Sequence, residues 1–298
     1  MELRQIKYVL AVADHGNFTR AAESLHISQP TLSQQIKQFE RALGVELLDR
    51  SGRTVTLTDA GRAYTHHARL ALRDLDAAQR AVHDVQDLSR GHLRLSMTPT
   101  FTAYLIGPLL HEFRVRHPGV TVTIRETTQA RIENDLVLDE IDLGIGLSDQ
   151  HASGVEARPL FTESLTVVVG RRHPLARRHT PLPVAALEAE PLCLLSRDFS
   201  TRVQIDEHLA ELGLTPRIAV EASSISALME IVKHGDMATI LPDAVTRAHP
   251  DLIPVPSEAP MPIRQVRLLR RSTAYHSVAA RAFVSVLLDH VNRALLER

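Results

Sequence analysis

The stretch FTRAAESLHISQPTLSQQIKQFERALG, residues 18–44, contains two helical patterns with almost no chain between them. In the first pattern Ala21, Ala22 and Leu25 recur at helical spacing and predict a face that a second helix can cross closely. The second helix is predicted to begin at Ser28, whose hydroxyl is placed to cap it. Pro30 follows in the first turn, where a missing N–H costs nothing.

The second helix is predicted to have two unlike faces. Leu32, Ile36, Phe39 and Leu43 repeat every three or four residues and predict a buried side. The opposite side carries amides, hydroxyls and one lysine: Gln29, Thr31, Ser33, Gln34, Lys37 and Gln38. Such side chains pair with base edges or phosphates in the major groove of DNA. On composition alone, a solvated helix face explains the same pattern equally well.

A short hairpin is predicted after this helix, in VELLDRSGRTVTL, residues 45–57. Ser51-Gly52 is a turn signal between two β-like runs. Arg50 and Arg53 flank it, and from the tip of a hairpin they would reach backbone phosphates or the minor groove. The alternative is an ordinary charged turn.

A long helix is predicted from Thr58-Asp59 to about Leu88, with Thr58 as its cap. Small and apolar residues recur at alternating spacings of three and four: Ala68, Ala71, Leu75, Ala78, Val82 and Val85. This is the seam of a two-stranded coil and predicts a dimer linker. The alternative is an amphipathic helix that lies on its own domain.

The segment AVADHGNFTRAAESLHISQPTLSQQIKQFERALGVELLDRSGRTVTLTDAG, residues 11–61, resembles the N-terminal winged helix-turn-helix of LysR-type transcriptional regulators. The resemblance implies a DNA-binding domain at 1–58, a linker and dimerisation helix at 59–89, and an effector-binding domain at 90–298. The predicted contacts to double-stranded promoter or operator DNA are Ser28, Gln29, Pro30, Thr31, Ser33, Gln34, Lys37, Arg50 and Arg53. A homodimer or homotetramer is implied, and RNA polymerase is a candidate partner.

From His92 onward, strand and helix patterns alternate, which predicts an α/β sandwich behind an all-α N-terminal part. Strands are predicted at 92–97, 120–126, 141–146, 163–170, 191–195, 217–222, 237–241 and 264–270. Helices are predicted at 105–115, 132–138, 201–212, 224–234 and 277–296. The family implies two lobes resembling a periplasmic solute-binding protein, with lobe I at about 90–161 and 267–298 and lobe II at about 162–266.

A ligand is expected in the cleft, at the carboxyl ends of the strands. Hydroxyls and free N–H groups at helix starts form a natural anion site, although any one hydroxyl there is more often a helix cap. Arg202, or Arg197, is a candidate to supply charge for a carboxylate-like inducer. The predicted effector contacts are Thr98, Pro99, Thr100, Phe101, Thr102, Thr128, Ser196, Thr201, Arg202, Ser223 and Ser224.

A narrower resemblance comes from SRGHLRLSMTPTFTAYLIGPLL, LLSRDFSTRVQID and EASSISALMEIV. These segments are similar to the regulators of the cyanate operon within the LysR type. The resemblance implies a transcriptional activator, also an autorepressor, whose inducer is a small anion such as cyanate or azide. Regulators with the same scaffold that answer to another metabolite, such as a small carboxylate, stay open as an alternative.

Composition limits the other classes of function. The 298 residues carry a net charge of −1, are 44% hydrophobic and include one cysteine, Cys193, expected to be a small buried hydrophobe. The first 58 residues hold seven basic and six acidic residues, so DNA affinity must come from local placement and from pairing of domains. No apolar run approaches a membrane span, and a cytoplasmic location is expected.

Enzymatic function is not expected. The chain has no G-x-S-x-G elbow, no complete dinucleotide-binding glycine motif and no metal-ligand spacing. No cofactor is therefore predicted. A periplasmic-type solute-binding protein is the more serious alternative, since it accounts for residues 92–298, but it leaves the first 90 residues unexplained.

Overall fold

The computed structural model describes residues 2–52, 54–84, 91–147, 151–272 and 275–296. The chain forms two compact units, Met1–Gln79 and Arg80–Arg298. Each unit has hydrophobic clusters of its own, and each is described separately below.

The first unit is built on three helices, α1 (Leu3–His15), α2 (Phe18–Ser24) and α3 (Gln29–Leu43). Ser28 caps α3 as the sequence predicts, because its hydroxyl accepts the Thr31 N–H at 3.3 Å. Gly44 ends α3 in the left-handed conformation. Three residues of the predicted apolar side, Leu32, Ile36 and Phe39, are almost fully buried in the shared core together with Val9, Val12, Ala21 and Ala22. Leu43 in the last turn is 38% exposed, so its assignment to the buried side is wrong.

A two-stranded hairpin, the wing, follows α3. Its strands are β1 (Leu48–Asp49) and β2 (Thr56–Leu57), paired antiparallel. The wing is joined to the start of α4 (Asp59–Asp84), where Thr58 caps the helix by accepting the Gly61 N–H at 2.9 Å. A Cβ atom on Gly61 would lie 1.9 Å from the Leu47 carbonyl oxygen. Only glycine therefore lets α4 approach the wing so closely.

The predicted seam of α4 is divided between two environments. Ala68 is 6% exposed and packs into the core of its own unit, so its assignment to a partner-facing seam is wrong. Ala71, Leu75 and Ala78 are exposed, and Leu75 is among the large exposed apolar residues of the chain. The side chain of Val82, and all of Val85, lie outside the described part of the structure.

The second unit alternates strands and helices, as the sequence predicts. Its strands are β3 (Gly91–Met97), β4 (Val120–Glu126), β5 (Leu143–Gly146), β6 (Val155–Gly170), β7 (Leu192–Leu195), β8 (Ile218–Ala222), β9 (Ala238–Pro242), β10 (Leu252–Val255) and β11 (Ile263–Arg271). Its helices are α5 (Pro99–Thr102), α6 (Ile106–Arg116), α7 (Gln129–Val137), α8 (Val184–Ala189), α9 (Ser200–Glu211), α10 (Ile225–His234), α11 (Asp243–Ala248) and α12 (Val278–Leu296).

One long strand joins two groups of strands. The sheet order is β4-β3-β5-β11-β6-β9-β7-β8, with β10 paired to β6. The first part of β6 pairs with β11, and its last residues pair with β9 and β10. We call β3–β5 with α5–α7 and α12 the first lobe, and β7–β10 with α8–α11 the second lobe. Within each lobe the central strands run parallel, which places their carboxyl ends at one edge.

The first half of β6 and all of β10 are absent from the sequence prediction. Both contain a proline, Pro159 and Pro254, which argues against a strand when the sequence is read alone. In the fold, Pro159 lies opposite Arg267, where the register of the β6–β11 pair shifts. Pro254 lies on β10, which pairs with β6 and stands outside the main strand order of the sheet. These are the places where a strand tolerates a missing N–H.

Candidate functional sites

The polar side of α3 is exposed along its length. Exposed residues on it include Gln29, Thr31, Gln34, Lys37 and Gln38, whereas Ser33 is partly covered. The side chains of Leu32, Ile36 and Phe39 anchor the opposite side. The helix therefore presents a row of amide and hydroxyl groups of the kind that pair with base edges.

Two hydroxyls at the start of α3 are already engaged with each other. Ser28 Oγ lies 2.7 Å from Thr31 Oγ1, and Ser28 also caps the helix. Pro30 is exposed in the first turn. Ser28 thus has a structural role in addition to the DNA contact predicted for it.

Arg50 of the wing does not project freely from the hairpin. Its Nη2 atom donates to Glu40 Oε2 at 2.6 Å, and its guanidinium carbon lies 5.3 Å from the centre of the Phe18 ring. The prediction that Arg50 extends from the tip is therefore wrong, because a buried carboxylate and a ring hold it against the helices. Arg53 lies outside the described residues.

Hydroxyl residues lie in two groups at the carboxyl ends of the strands in the second unit. The Thr127 N–H donates to the carbonyl of Met97, so that Thr98 and Thr127 are neighbours. The Ser196 N–H donates to the carbonyl of Ala222, which places Ser196 beside Ser223. One pair belongs to the first lobe and the other to the second.

An arginine on β11 links the two lobes. Arg264 Nη1 donates to Thr201 Oγ1 at 2.8 Å, and its Nη2 donates to Thr100 Oγ1 at 3.3 Å. Thr100 belongs to α5 of the first lobe and Thr201 to α9 of the second. The two predicted effector residues therefore meet at one guanidinium, although they lie far apart in the sequence.

The charge of Arg264 is balanced by Glu163, directly opposite it in the β6–β11 register. Arg264 Nε donates to Glu163 Oε1 at 2.7 Å, and both side chains are almost fully buried. Tyr104 donates its hydroxyl to the other oxygen of Glu163. Burial, followed by the Glu163 charge, raises the pKa of Tyr104 well above its usual value, so the phenol stays a neutral donor.

Three other hydroxyls near these residues in sequence are buried without a hydrogen-bond partner among the described residues. They are those of Thr98, Ser196 and Ser200. A buried hydroxyl without a partner costs free energy. Together with Thr100 and Thr201, these groups place five hydroxyls at the strand ends of the two lobes.

Comparisons with known proteins identify the family of this chain. Residues 3–62 match the family described as bacterial regulatory helix-turn-helix protein, lysR family. Residues 86–292 match the family described as LysR substrate binding domain. The chain belongs to the LysR family of transcriptional regulators. It is therefore a DNA-binding regulator with an effector-binding domain.

Curated relatives agree with this assignment over most of the chain. The nitrogen assimilation regulatory protein nac of Klebsiella aerogenes is 33% identical over 83% of this chain and 80% of its own length. The HTH-type transcriptional activator CmpR of Synechocystis sp. is 33% identical over 80% of this chain and 78% of its own length. Two such relatives at equal identity do not single out a subgroup, so the narrower resemblance to cyanate-operon regulators is not confirmed.

Solved structures show the same fold over the full length. A full-length variant of OxyR from Pseudomonas aeruginosa has a TM-score of 0.69 at 26% identity, and the match covers 98% of this chain and 95% of that protein. Full-length CbnR complexed with its target DNA has a TM-score of 0.66 at 26% identity, and the match covers 99% of this chain and 100% of CbnR. The predicted fold, a winged helix-turn-helix followed by a two-lobed α/β domain, is confirmed. The relatives are regulators and not enzymes.

Arg202 of this LysR-type regulator is not the free cation that the sequence predicts. It is fully buried, its Nε donates to Asp206 at 2.8 Å, and its Nη1 lies 3.1 Å from Glu221 and donates to the Leu195 carbonyl. Two carboxylates compensate its charge, but its Nη2 atom is buried without a hydrogen-bond partner among the described residues, so its contact with an inducer stays a prediction. Arg197 is exposed, 3.8 Å from Asp206.

Several other predicted effector residues have structural roles. Thr128 and Ser224 cap α7 and α10 by accepting backbone N–H groups, and Thr102 donates to the Pro99 carbonyl at 2.6 Å. Phe101 is fully buried in the hydrophobic cluster of the first lobe. Pro99 is buried at the start of α5, and Ser223 is exposed.

Sequence reasoning did not select Arg264, Glu163 and Tyr104. A signal for two of them was present, since Arg264 shares the two-residue period of Val266 and Leu268, and Glu163 shares that of Leu165. The period places both charged groups on the buried side of their strands. Charged residues at buried positions need partners. This requirement predicts an ion pair between Arg264 and Glu163.

Some other expectations concern chemistry away from these sites. Cys193 is fully buried, and burial raises the pKa of its thiol, which makes it a poor nucleophile. Within the described ranges, no cluster of three or more His, Cys, Asp or Glu side chains has the arrangement of a metal site. Among the described helices, none combines the length and apolar character needed to span a membrane.

Proposed function

We propose that this regulator controls its promoters in response to a small anion, such as cyanate, held between the two lobes of the second unit. The observation that carries this proposal is the contact of Arg264 with Thr100 and Thr201, one hydroxyl from each lobe. A ligand that engages these hydroxyls acts on both lobes at once. If the ligand binds one arrangement of the lobes more tightly than another, it shifts the population toward that arrangement.

The chemical class of the ligand follows from the groups available. The hydroxyls of Thr98, Ser196 and Ser200, which have no partner within the described chain, and the N–H groups at the start of α9 favour a compact acceptor. The Arg264 charge is already matched by Glu163, which favours a singly charged anion over a large polyanion. The cyanate-operon resemblance supports the same class, and a small carboxylate is the second candidate.

On the DNA side, we propose that the α3 residues of the sequence prediction read bases or phosphates and that the wing reaches the flanking backbone. The proposed boundaries are 1–58 for the DNA-binding domain, 59–89 for the linker and 90–298 for the effector domain, with lobes at about 90–161 with 267–298 and 162–266. Exposed Ala71, Leu75 and Ala78 support a coiled dimer linker. A homotetramer that acts in the cytoplasm and contacts RNA polymerase completes the proposal.

In this mechanism, the ligand changes the closure of the lobes and, through the linkers, the spacing of paired DNA-binding domains and the bend between half-sites. A solute-binding protein without a regulatory role is not favoured, because residues 3–62 match the DNA-binding family.

The experiment combines a thermal-shift screen with footprinting of the promoter fragment beside the gene. Cyanate, azide, formate and acetate are each added to the full-length chain, and an active anion is expected to raise the melting temperature and change the footprint. If no anion shifts the melting temperature, a small anionic inducer is ruled out. If an anion binds but footprint and bending stay identical, the proposed coupling between lobes and DNA is wrong.

A further inference from the structure

Glu40 places a carboxylate where α3 meets the wing. It lies on the buried side of α3 with only 6% of its surface exposed. Its Oε1 atom accepts the N–H groups of Leu47 and Leu48 at 2.9 and 3.1 Å, and its Oε2 accepts Arg50 Nη2 at 2.6 Å. A buried carboxylate is stable only with such donors, so the wing is bonded to α3 through this one group.

Arg50 keeps a capacity to bind a further anion. A guanidinium has five N–H donors, and the Arg50 side chain remains 31% exposed beside Glu40. It lines an open concavity of about 370 Å³ together with Lys37 and Arg41 of α3, both of which are exposed. Three cations from two elements thus surround one hollow, and a guanidinium binds a phosphate well.

We infer that Glu40 is a positioning residue for DNA binding: its carboxylate holds the wing and Arg50 so that Arg50 and Lys37 share one backbone phosphate in the concavity. The inference rests on the proposed DNA contacts of α3 and the wing. It assigns to an acidic residue, which repels DNA, a favourable contribution to DNA affinity.

The direction in which DNA affinity changes when one negative charge is removed distinguishes a positioning role from simple electrostatic repulsion. Removing a negative charge from a DNA-facing unit strengthens binding if charge alone matters. Glu40→Gln keeps an acceptor oxygen for the wing N–H groups, but its amide would face the guanidinium and end the ion pair. If Glu40 positions Arg50, this substitution weakens binding even though the unit becomes more positive.

Glu46 offers a matched control. Its side chain is exposed and lines the same concavity, so Glu46→Gln removes the same charge at nearly the same place without touching the Glu40–Arg50 pair. Glu40→Asp complements it, because it keeps the charge and shortens the side chain by one carbon, which prevents the carboxylate from reaching the wing and Arg50 together.

The experiment measures binding of the full-length chain to the promoter fragment beside the gene and to random DNA of equal length over a range of salt concentrations. Glu46→Gln is expected to bind at least as tightly as the wild type. Glu40→Gln and Glu40→Asp are expected to bind both DNAs roughly three- to tenfold more weakly, with the salt slope reduced by about one, as for one lost phosphate contact. Circular dichroism melting confirms that each variant is folded.

A double variant tests whether Glu40 acts through Arg50. Arg50→Met is expected to weaken binding to the same extent, and Glu40→Gln in the Arg50→Met background is expected to add nothing. The inference is overturned if Glu40→Gln matches Glu46→Gln, if Glu40→Asp binds like the wild type, or if the two losses add in full. Failure of the wild type itself to bind the promoter would instead refute the proposed function.

Discussion

Arg264→Met should destabilise the strands that join the two lobes of the effector-binding unit. The substitution keeps most of the side-chain volume but removes the cation that faces Glu163. The carboxylate, which is fully buried, then keeps the Tyr104 hydroxyl as a side-chain donor but has no cation beside it to balance its charge. Thr100 and Thr201 also lose the donor that they share.

The size of the stability loss follows from the burial of the Arg264–Glu163 ion pair. Breaking a buried ion pair by removing one partner costs about 3–5 kcal/mol, because an uncompensated charge stays in the interior. At about 1.4 kcal/mol per factor of ten, this corresponds to amide exchange faster by roughly two to three and a half orders of magnitude in β6 and β11.

Hydrogen–deuterium exchange with mass spectrometry of the full-length chain measures this effect locally. Peptides from α1–α3 serve as the internal reference. Arg270→Met is the matched control, because Arg270 lies opposite Glu156 on the same two strands but in an exposed pair. Exposed pairs contribute about 0–1 kcal/mol, so its exchange should change less than tenfold.

Two results would refute this reasoning. One is exchange in Arg264→Met that equals that of Arg270→Met. The other concerns the combined replacement Arg264→Met, Glu163→Leu and Tyr104→Phe, which removes the charges and the phenol together and should cost less than the single substitution. If the combined variant is at least as destabilised as Arg264→Met, the buried charge is not the cause.

Three further predictions concern other parts of the molecule. Gly61→Ala should lower the free energy of unfolding of the DNA-binding unit by about 1–3 kcal/mol or more, since the new Cβ would meet the Leu47 carbonyl. In the same melting experiments, Gly107→Ala should cause no such loss of stability, since its Cβ would meet no described atom within 4 Å. Ser33→Ala should reduce discrimination between promoter and random DNA by about 1–3 kcal/mol, and equal losses on both in shift assays would remove it from the base-reading set. Thr100→Val should abolish induction in a promoter-reporter assay with promoter binding intact, and normal induction would exclude it from the ligand site.

The elements that the sequence predicted well depend on neighbours within a few residues. The Ser28 cap and the buried positions Leu32, Ile36 and Phe39 of α3 are local signals, and the strand and helix starts of the second unit mostly lie within two residues of their predicted positions. Where a proline weakened the local pattern, at Pro159 and Pro254, the prediction failed. Partner strands far away in the chain stabilise those segments.

The sites were less accessible to sequence reasoning, because their charges are compensated by distant partners. Arg50 and Arg202 were taken as free cations, and both are paired with carboxylates. The pairing of Arg264 with Glu163 joins residues 101 positions apart.

By itself, the sequence determined the two helices of the DNA-reading motif, the hairpin behind them and the α/β character of the remainder, because hydrogen bonds and apolar periods within one element specify these features. The tertiary structure alone decided which charges are available to DNA or ligand. Whether a charged side chain is neutralised depends on strand register and on the packing of separate elements, and neither is a property of any short segment.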